Sequence, residues 1–209
     1  KMDWARSLWK FKNTDGLLSA VFETLSYFHP DEDGTKALLP YHWVKGSSNL
    51  ALLLGENASG KSFVRKCAHS ICQTIKVEFI GISMELRSRG GMERAFIFGD
   101  EGWEATGGIS IKTVLNGIKT CRGRDKPHVM FWDEPDLGLS DGAAASVGAA
   151  IAEFVRQPGD HTTAICVATH NRHVVEQLLP LDPHYVYLGK NPPATLRDWL
   201  SRAIVPVDL

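Results

Sequence analysis

Apolar positions along this chain follow two alternating rhythms, one helical and one of short continuous runs. Leu18, Val21, Phe22 and Leu25 stand at i, i+3, i+4 and i+7, which predicts an amphipathic helix over 16–28 ahead of a turn at 30–34. Asn49 to Leu54 is an apolar run closed by Gly55, the pattern of a buried strand. Phe63, Val64, Cys67, Ala68, Ile71, Cys72 and Ile75 then form a stripe at helical spacing, with Arg65, Lys66, His69 and Gln73 on the opposite side. Val77 to Ile82 predicts a second strand and Ala95 to Phe98 a weaker one. Between 86 and 109 the glycines predict irregular backbone. Beyond them Ile111, Val114, Leu115 and Ile118 mark a helix, His128 to Trp132 a strand, and Val147, Ile151, Phe154 and Val155 another helix. Thr163 to Thr169 (strand), Val174 to Leu179 (helix), His184 to Leu188 (strand) and a helix through Leu196, Trp199, Leu200 and Ala203 complete the order. This alternation predicts a three-layer α/β fold with a mostly parallel sheet, whose ligands sit beyond the carboxyl ends of the strands.

Composition narrows the classes. The chain has 209 residues, 44% hydrophobic and 22% charged, which excludes a disordered chain or a fibrous repeat. The longest aliphatic run, Leu50 to Leu54, is far too short to cross a bilayer, so no membrane association is expected. The first residues lack a basic stretch followed by an apolar one, so no secretory leader is expected. Net charge is -1, which gives no global pull toward nucleic acid; DNA binding would have to be local. Cys67, Cys72, Cys121 and Cys166 form no CxxC pair or zinc-type array, and read as reduced core thiols in a cytoplasmic protein.

Chemistry concentrates at two strand ends. Gly55-Glu56-Asn57-Ala58-Ser59-Gly60-Lys61-Ser62 matches GxxxxGK[ST], placed between a predicted strand and a predicted helix. Its glycines let backbone N–H groups converge on phosphate oxygens. Gly55, Asn57, Ala58, Ser59, Gly60, Lys61, Ser62 and Phe63 are therefore candidate nucleotide contacts, with Lys61 reaching the β- and γ-phosphates and Ser62 binding Mg²⁺. The strand His128 to Trp132 delivers Asp133 and Glu134, of which Asp133 is the candidate Mg²⁺ holder and Glu134 the candidate group that polarises an attacking water.

In their order these motifs resemble the ABC class of P-loop ATPases, which includes transporter subunits and the SMC, RecF and OLD-type proteins. Gly55 to Ser62, Phe131-Trp132-Asp133-Glu134-Pro135 and Val167-Ala168-Thr169-His170 carry the resemblance, which covers roughly 46–190. It implies an Mg-dependent ATPase with catalytic Glu134, His170 and Lys61, His170 being the switch histidine that meets the γ-phosphate. It also implies a homodimer with ATP at its interface. Leu137-Gly138-Leu139-Ser140-Asp141 stands where the family has its D-loop, with either Ser140 or Asp141 reaching across, or else a plain helix-capping turn. The LSGGQ signature is absent as written. The family's spacing back from the Walker B aspartate falls on Ser110, read as the start of its helix and a contact for the partner's γ-phosphate; Thr106-Gly107-Gly108 is the alternative match, and a simple helix cap the third.

Departures from that class matter equally. No glutamine lies between Gln73 and Gln157 to supply a transporter's Q-loop, and no helical subdomain or coiled-coil arm fits the length. The expectation is a single armless ATPase domain over 1–209: a lead-in (1–45), a nucleotide-binding core (46–190) and a C-terminal helix and tail (191–209), acting in DNA processing or phage and bacterial defence. A nucleotide-gated module that recruits an effector such as a nuclease is the rival. Lys112, Lys119, Arg122, Arg124 and Lys126 form a basic stretch, either a solvated face or a phosphate-backbone contact, and Arg87, Arg89 and Arg94 are candidates to extend it or to face the γ-phosphate. Tyr27, Phe28 and Tyr41 are candidates to stack on adenine.

Overall fold

The computed structural model describes residues 11–29, 33–34, 38–83 and 106–202. Strands are β1 (Tyr41–Val44), β2 (Leu50–Gly55), β3 (Glu78–Ser83), β4 (His128–Asp133), β5 (Thr162–Ala168) and β6 (His184–Leu188). Helices are α1 (Thr14–Phe22), α2 (Lys61–Ile75), α3 (Thr106–Arg122), α4 (Asp141–Arg156), α5 (Arg172–Leu178) and α6 (Leu196–Ser201), with 3-10 turns at Ser26–Phe28 and Leu179–Leu181. The strands form one sheet in the order β1-β6-β2-β5-β4-β3, parallel except for β1.

Alternation along the central strands builds two cores. Ala51 and Leu53 of β2 and Val129 and Phe131 of β4 face α1 and α2, where Leu18, Phe22, Val64 and Ile71 meet them. Leu50, Leu52 and Leu54 with Met130 and Trp132 face the other way, against Val114, Val147, Ile151 and Val174 of α3, α4 and α5. Strands buried on both faces are what helices on both sides of a parallel sheet require. The three-layer expectation therefore holds. Among the described residues no helix is long and apolar enough to cross a membrane.

Several elements differ from the periodic reading. The first helix spans Thr14–Phe22 rather than 16–28, because Leu25 turns extended (φ -84°, ψ 127°) before the 3-10 turn. Its Thr14 hydroxyl donates to the Asn49 carbonyl at 2.9 Å and accepts from the Ile165 N–H at 3.1 Å, tying α1 to β2 and β5. The edge strand β1 has no counterpart in the apolar pattern; three of its residues are only partly buried and Val44 is exposed, and its pairing with β6 joins Tyr41 to the distant Leu188. Helix α3 begins at Thr106, so Gly107 and Gly108 are helical and not irregular. The segment 84–105, which holds the expected strand Ala95 to Phe98 and Arg87, Arg89 and Arg94, lies outside the described residues, as does Ala203.

Register aligns the working ends of the strands. Leu53 pairs with Ala168, Ala168 with Asp133 and Asp133 with Ser83, so one row of residues crosses four strands. Immediately past that row, the loop after Gly55, the Thr169-His170 turn and Glu134 emerge together on one edge of the sheet.

Candidate functional site

Between β2 and α2 the backbone enters left-handed space at Gly55 (φ 147°), Ala58 (φ 60°) and Gly60 (φ 106°). A Cβ on Gly55 would lie 2.4 Å from the Leu188 carbonyl oxygen and 2.6 Å from Ser59 Oγ, so only glycine fits that position. The loop closes on itself through the Ser59 N–H and the Glu56 carbonyl (3.2 Å). Ser59 Oγ is buried with no hydrogen-bond partner, an orphan hydroxyl that a phosphate oxygen would satisfy.

Lys61, 5% exposed, opens α2 and turns back under the loop, where its ammonium donates to the carbonyls of Gly55 (3.0 Å) and Glu56 (2.9 Å). Burial lowers its pKa, and the nearby charges of Glu134 and Asp133 oppose that shift. Ser62 Oγ donates to Asp133 Oδ2 at 3.0 Å, and Ser83 Oγ reaches the same oxygen at 3.5 Å. A hydroxyl and a carboxylate held at hydrogen-bond distance beside this loop are hard oxygen donors, a set that fits Mg²⁺.

Glu134 follows Asp133 in the left-handed region (φ 54°), its N–H fixed to the Ala168 carbonyl at 2.8 Å. That turn swings its carboxylate out of the sheet row and into the cleft. His170 Nδ1 lies 3.5 Å from Glu134 Oε1. Hydrogen bonding to Glu134 raises the His170 pKa; the same bond lowers that of Glu134, against the opposing effect of burial.

A cleft of about 530 Å³ joins these groups, lined by Asn57 to Phe63 together with Glu134, Leu137 and His170. The expected loop contacts from Asn57 to Phe63 and the expected catalytic groups Lys61, Glu134 and His170 thus meet in one place, with Asp133 bonded to Ser62 behind the lining and Gly55 at the root of the loop. Strand order explains the convergence, since β5 runs between β2 and β4 and delivers His170 between loop and carboxylates.

Other expected residues sit elsewhere. Ser110 is not the start of its helix; it lies a full turn inside α3, fully buried, and its hydroxyl donates to the Leu137 carbonyl at 2.9 Å. Phe28 and Tyr41 are packed on Phe22 (ring centroids 4.8 and 4.6 Å) as part of the core region around α1. Tyr27 is half exposed and meets Phe63 edge-on at 5.0 Å, beside an apolar recess of about 210 Å³. In the basic stretch Arg124 pairs with Glu78 at 3.0 Å and Arg122 lies 3.4 Å from the Gln157 carbonyl, so these two are engaged within the chain. Asp141 is exposed and lies 3.5 Å from His173. All four cysteines are buried and free, and burial pushes the Cys67 thiol up to about 11 and those of Cys72 and Cys121 to about 12, which keeps them unreactive.

Three residues of the site escape a reading of the sequence. Arg65, on the polar face of α2 by its spacing, approaches Asp133 with Nε 3.3 Å from Oδ2. Ser83 ends a strand with no motif of its own. Asp136, buried, accepts from the Thr169 hydroxyl at 2.7 Å, and that hydroxyl accepts from the Asn171 N–H at 3.0 Å, so the turn after β4 anchors the turn that carries His170. A buried carboxylate two residues beyond Glu134 could have been suspected only from its apolar neighbours.

No protein-family model matches the chain, and no curated protein matches it. Among solved structures, the chain is similar to one described as the crystal structure of Cdc6p from Pyrobaculum aerophilum, at 16% identity and a TM-score of 0.40, over 75% of this chain and 44% of that one. This chain spans less than half the length of that protein, and the functional reading rests on the residues themselves.

Proposed function

We propose that the chain binds and hydrolyses ATP with Mg²⁺. One observation carries the reading: the glycine loop with Lys61 and the Glu134–His170 pair line one cleft, and Ser62 of the same lining is bonded to Asp133 behind it. Lys61 exchanges its carbonyl partners for phosphate oxygens, and the loop N–H groups and Ser59 Oγ supply further donors. Ser62 and Asp133 hold Mg²⁺, which when bound neutralises charge on the phosphate oxygens. Glu134, kept ionised by His170, accepts a hydrogen bond from the attacking water and draws its proton; His170 orients that carboxylate. Tyr27, beside Phe63, is the aromatic left exposed for the base.

The finer proposal is that two copies close head to tail on ATP, in the manner of the ABC class, with the first turn of α3 (Thr106 to Gly108) facing the other copy in place of Ser110. Leu137, exposed at the cleft rim, supports an interface there. Acting on DNA, or recruiting an effector such as a nuclease, remains part of this proposal; the exposed lysines 119 and 126 are its local support.

The test is light-scattering mass and phosphate release for wild type and Glu134→Gln with Mg-ATP, Mg-ADP and no nucleotide. The variant is expected to bind ATP, to lose release by on the order of 10²-fold or more, and to double its mass from 23.1 kDa with ATP alone. Absence of ATP binding by either protein would overturn the nucleotide reading. A monomer with full turnover would overturn the dimer.

A further inference from the structure

We infer that Arg65 is a built-in occupant of the cation position, so that Mg²⁺ enters by displacing a guanidinium from Asp133. The inference rests on the reading of Ser62 and Asp133 as the metal's holders. Arg65 follows Lys61 by one helical turn, which sets both residues on the side of α2 that faces the strand ends. Its side chain is 15% exposed, and Nε lies 3.3 Å from Asp133 Oδ2. That single oxygen also accepts from Ser62 at 3.0 Å and lies within 3.5 Å of Ser83 Oγ.

Crowding leaves the arginine poorly bonded. Nε is buried and makes no aligned hydrogen bond, so it is held at the carboxylate by charge rather than by a directed donor. Lys61 also acts on Asp133 through its charge, but its ammonium is bonded to the Gly55 and Glu56 carbonyls. Arg65 therefore sets a positive charge against Asp133, 3% exposed, before any metal arrives. A divalent ion held at the same carboxylate would bring twice the charge and would compete with the guanidinium for its place there. Arg65 thus sets the Mg²⁺ concentration at which the site loads.

The experiment compares wild type, Arg65→Gln and Arg65→Lys. Thermal melting with MgCl₂ alone reads the metal without nucleotide; calorimetric ATP titrations at stepped MgCl₂ read the loaded site. In Arg65→Gln the Mg²⁺ needed for half of its effect is expected to fall about tenfold, and Mg²⁺ alone to raise the melting midpoint more than in wild type. Arg65→Lys keeps the charge on a pointlike, more hydrated ammonium and is expected to fall about threefold; it decides the matter if the glutamine variant does not fold. An unchanged or higher Mg²⁺ requirement overturns the inference. If ATP binds none of the three proteins, the nucleotide reading fails and the Mg²⁺ melts still decide the role of Arg65.

Discussion

Asp133 and Glu134 are neighbours in the chain, yet the two halves of the cleft they define are built differently. On the Asp133 side the carboxylate is buried and crowded: Ser62 and Ser83 reach one of its oxygens, and Arg65 approaches it with 15% exposure. On the Glu134 side the carboxylate is 27% and His170 49% exposed, and the pair meets at 3.5 Å. The contrast comes from one backbone step, because Asp133 still belongs to the sheet row while Glu134 has turned left-handed out of it. A buried group must be compensated permanently, whereas a half-exposed pair stays free to exchange protons with water.

Lys61→Met tests the buried half hardest. It removes the Lys61 ammonium from beneath the loop and is expected to weaken ATP binding by on the order of 10²-fold or more, measured by calorimetry. Binding within a fewfold of wild type would deny the buried half its phosphate role. Next in size is Asp136→Ala, which strands the buried Thr169 hydroxyl. A loss of about 1–3 kcal/mol in urea unfolding is expected, with a larger relative fall in turnover than in ATP affinity because His170 loses its anchor. Ser110→Ala is smaller, about 1 kcal/mol of stability from the lost bond to Leu137, and ATP-dependent mass should survive it. Loss of that mass change in a stably folded variant would return Ser110 to the interface.

The smallest effect belongs to the open half and depends on pH. His170 is raised by Glu134, so its contribution is full below the ordinary histidine value and is lost as pH rises through the raised one. Glu134 is lowered, so its contribution is present above the ordinary carboxylate value and is lost as pH falls through the lowered one. Wild type should therefore exceed His170→Gln in stability most between about pH 4.3 and 6.5, by less than about 1 kcal/mol given the exposure. Urea melts at pH 5.5 and 8.5 check it; an equal difference at both would mean the pair carries no charge interaction.

Legibility in the sequence followed the range of the interactions. The glycine-rich loop could be read because its demands are local: glycines where φ is positive, a lysine at the helix start, an apolar strand before it. Strands β2, β4, β5 and β6 could be read because burial on both faces leaves continuous apolar runs. The role of Arg65 was hidden because a helical period assigns a face without saying what lies opposite. The start of α3 was placed one turn late because Gly107 and Gly108, which are helical, read as irregular backbone, so Ser110 lies inside the helix and not at its start.

By itself, the sequence determined the alternation of strands and helices, the glycine-rich loop between β2 and α2 and the pair of carboxylates at a strand end. Tertiary structure alone decided that β5 lies between β2 and β4, that His170 consequently meets Glu134, and that Arg65 and Ser83 converge on Asp133. The reason is physical: backbone propensity and burial act within a few residues, whereas strand order and charge pairing join positions as distant in the chain as Leu50 and Ile165 or Glu134 and His170, and are selected only when the whole core packs.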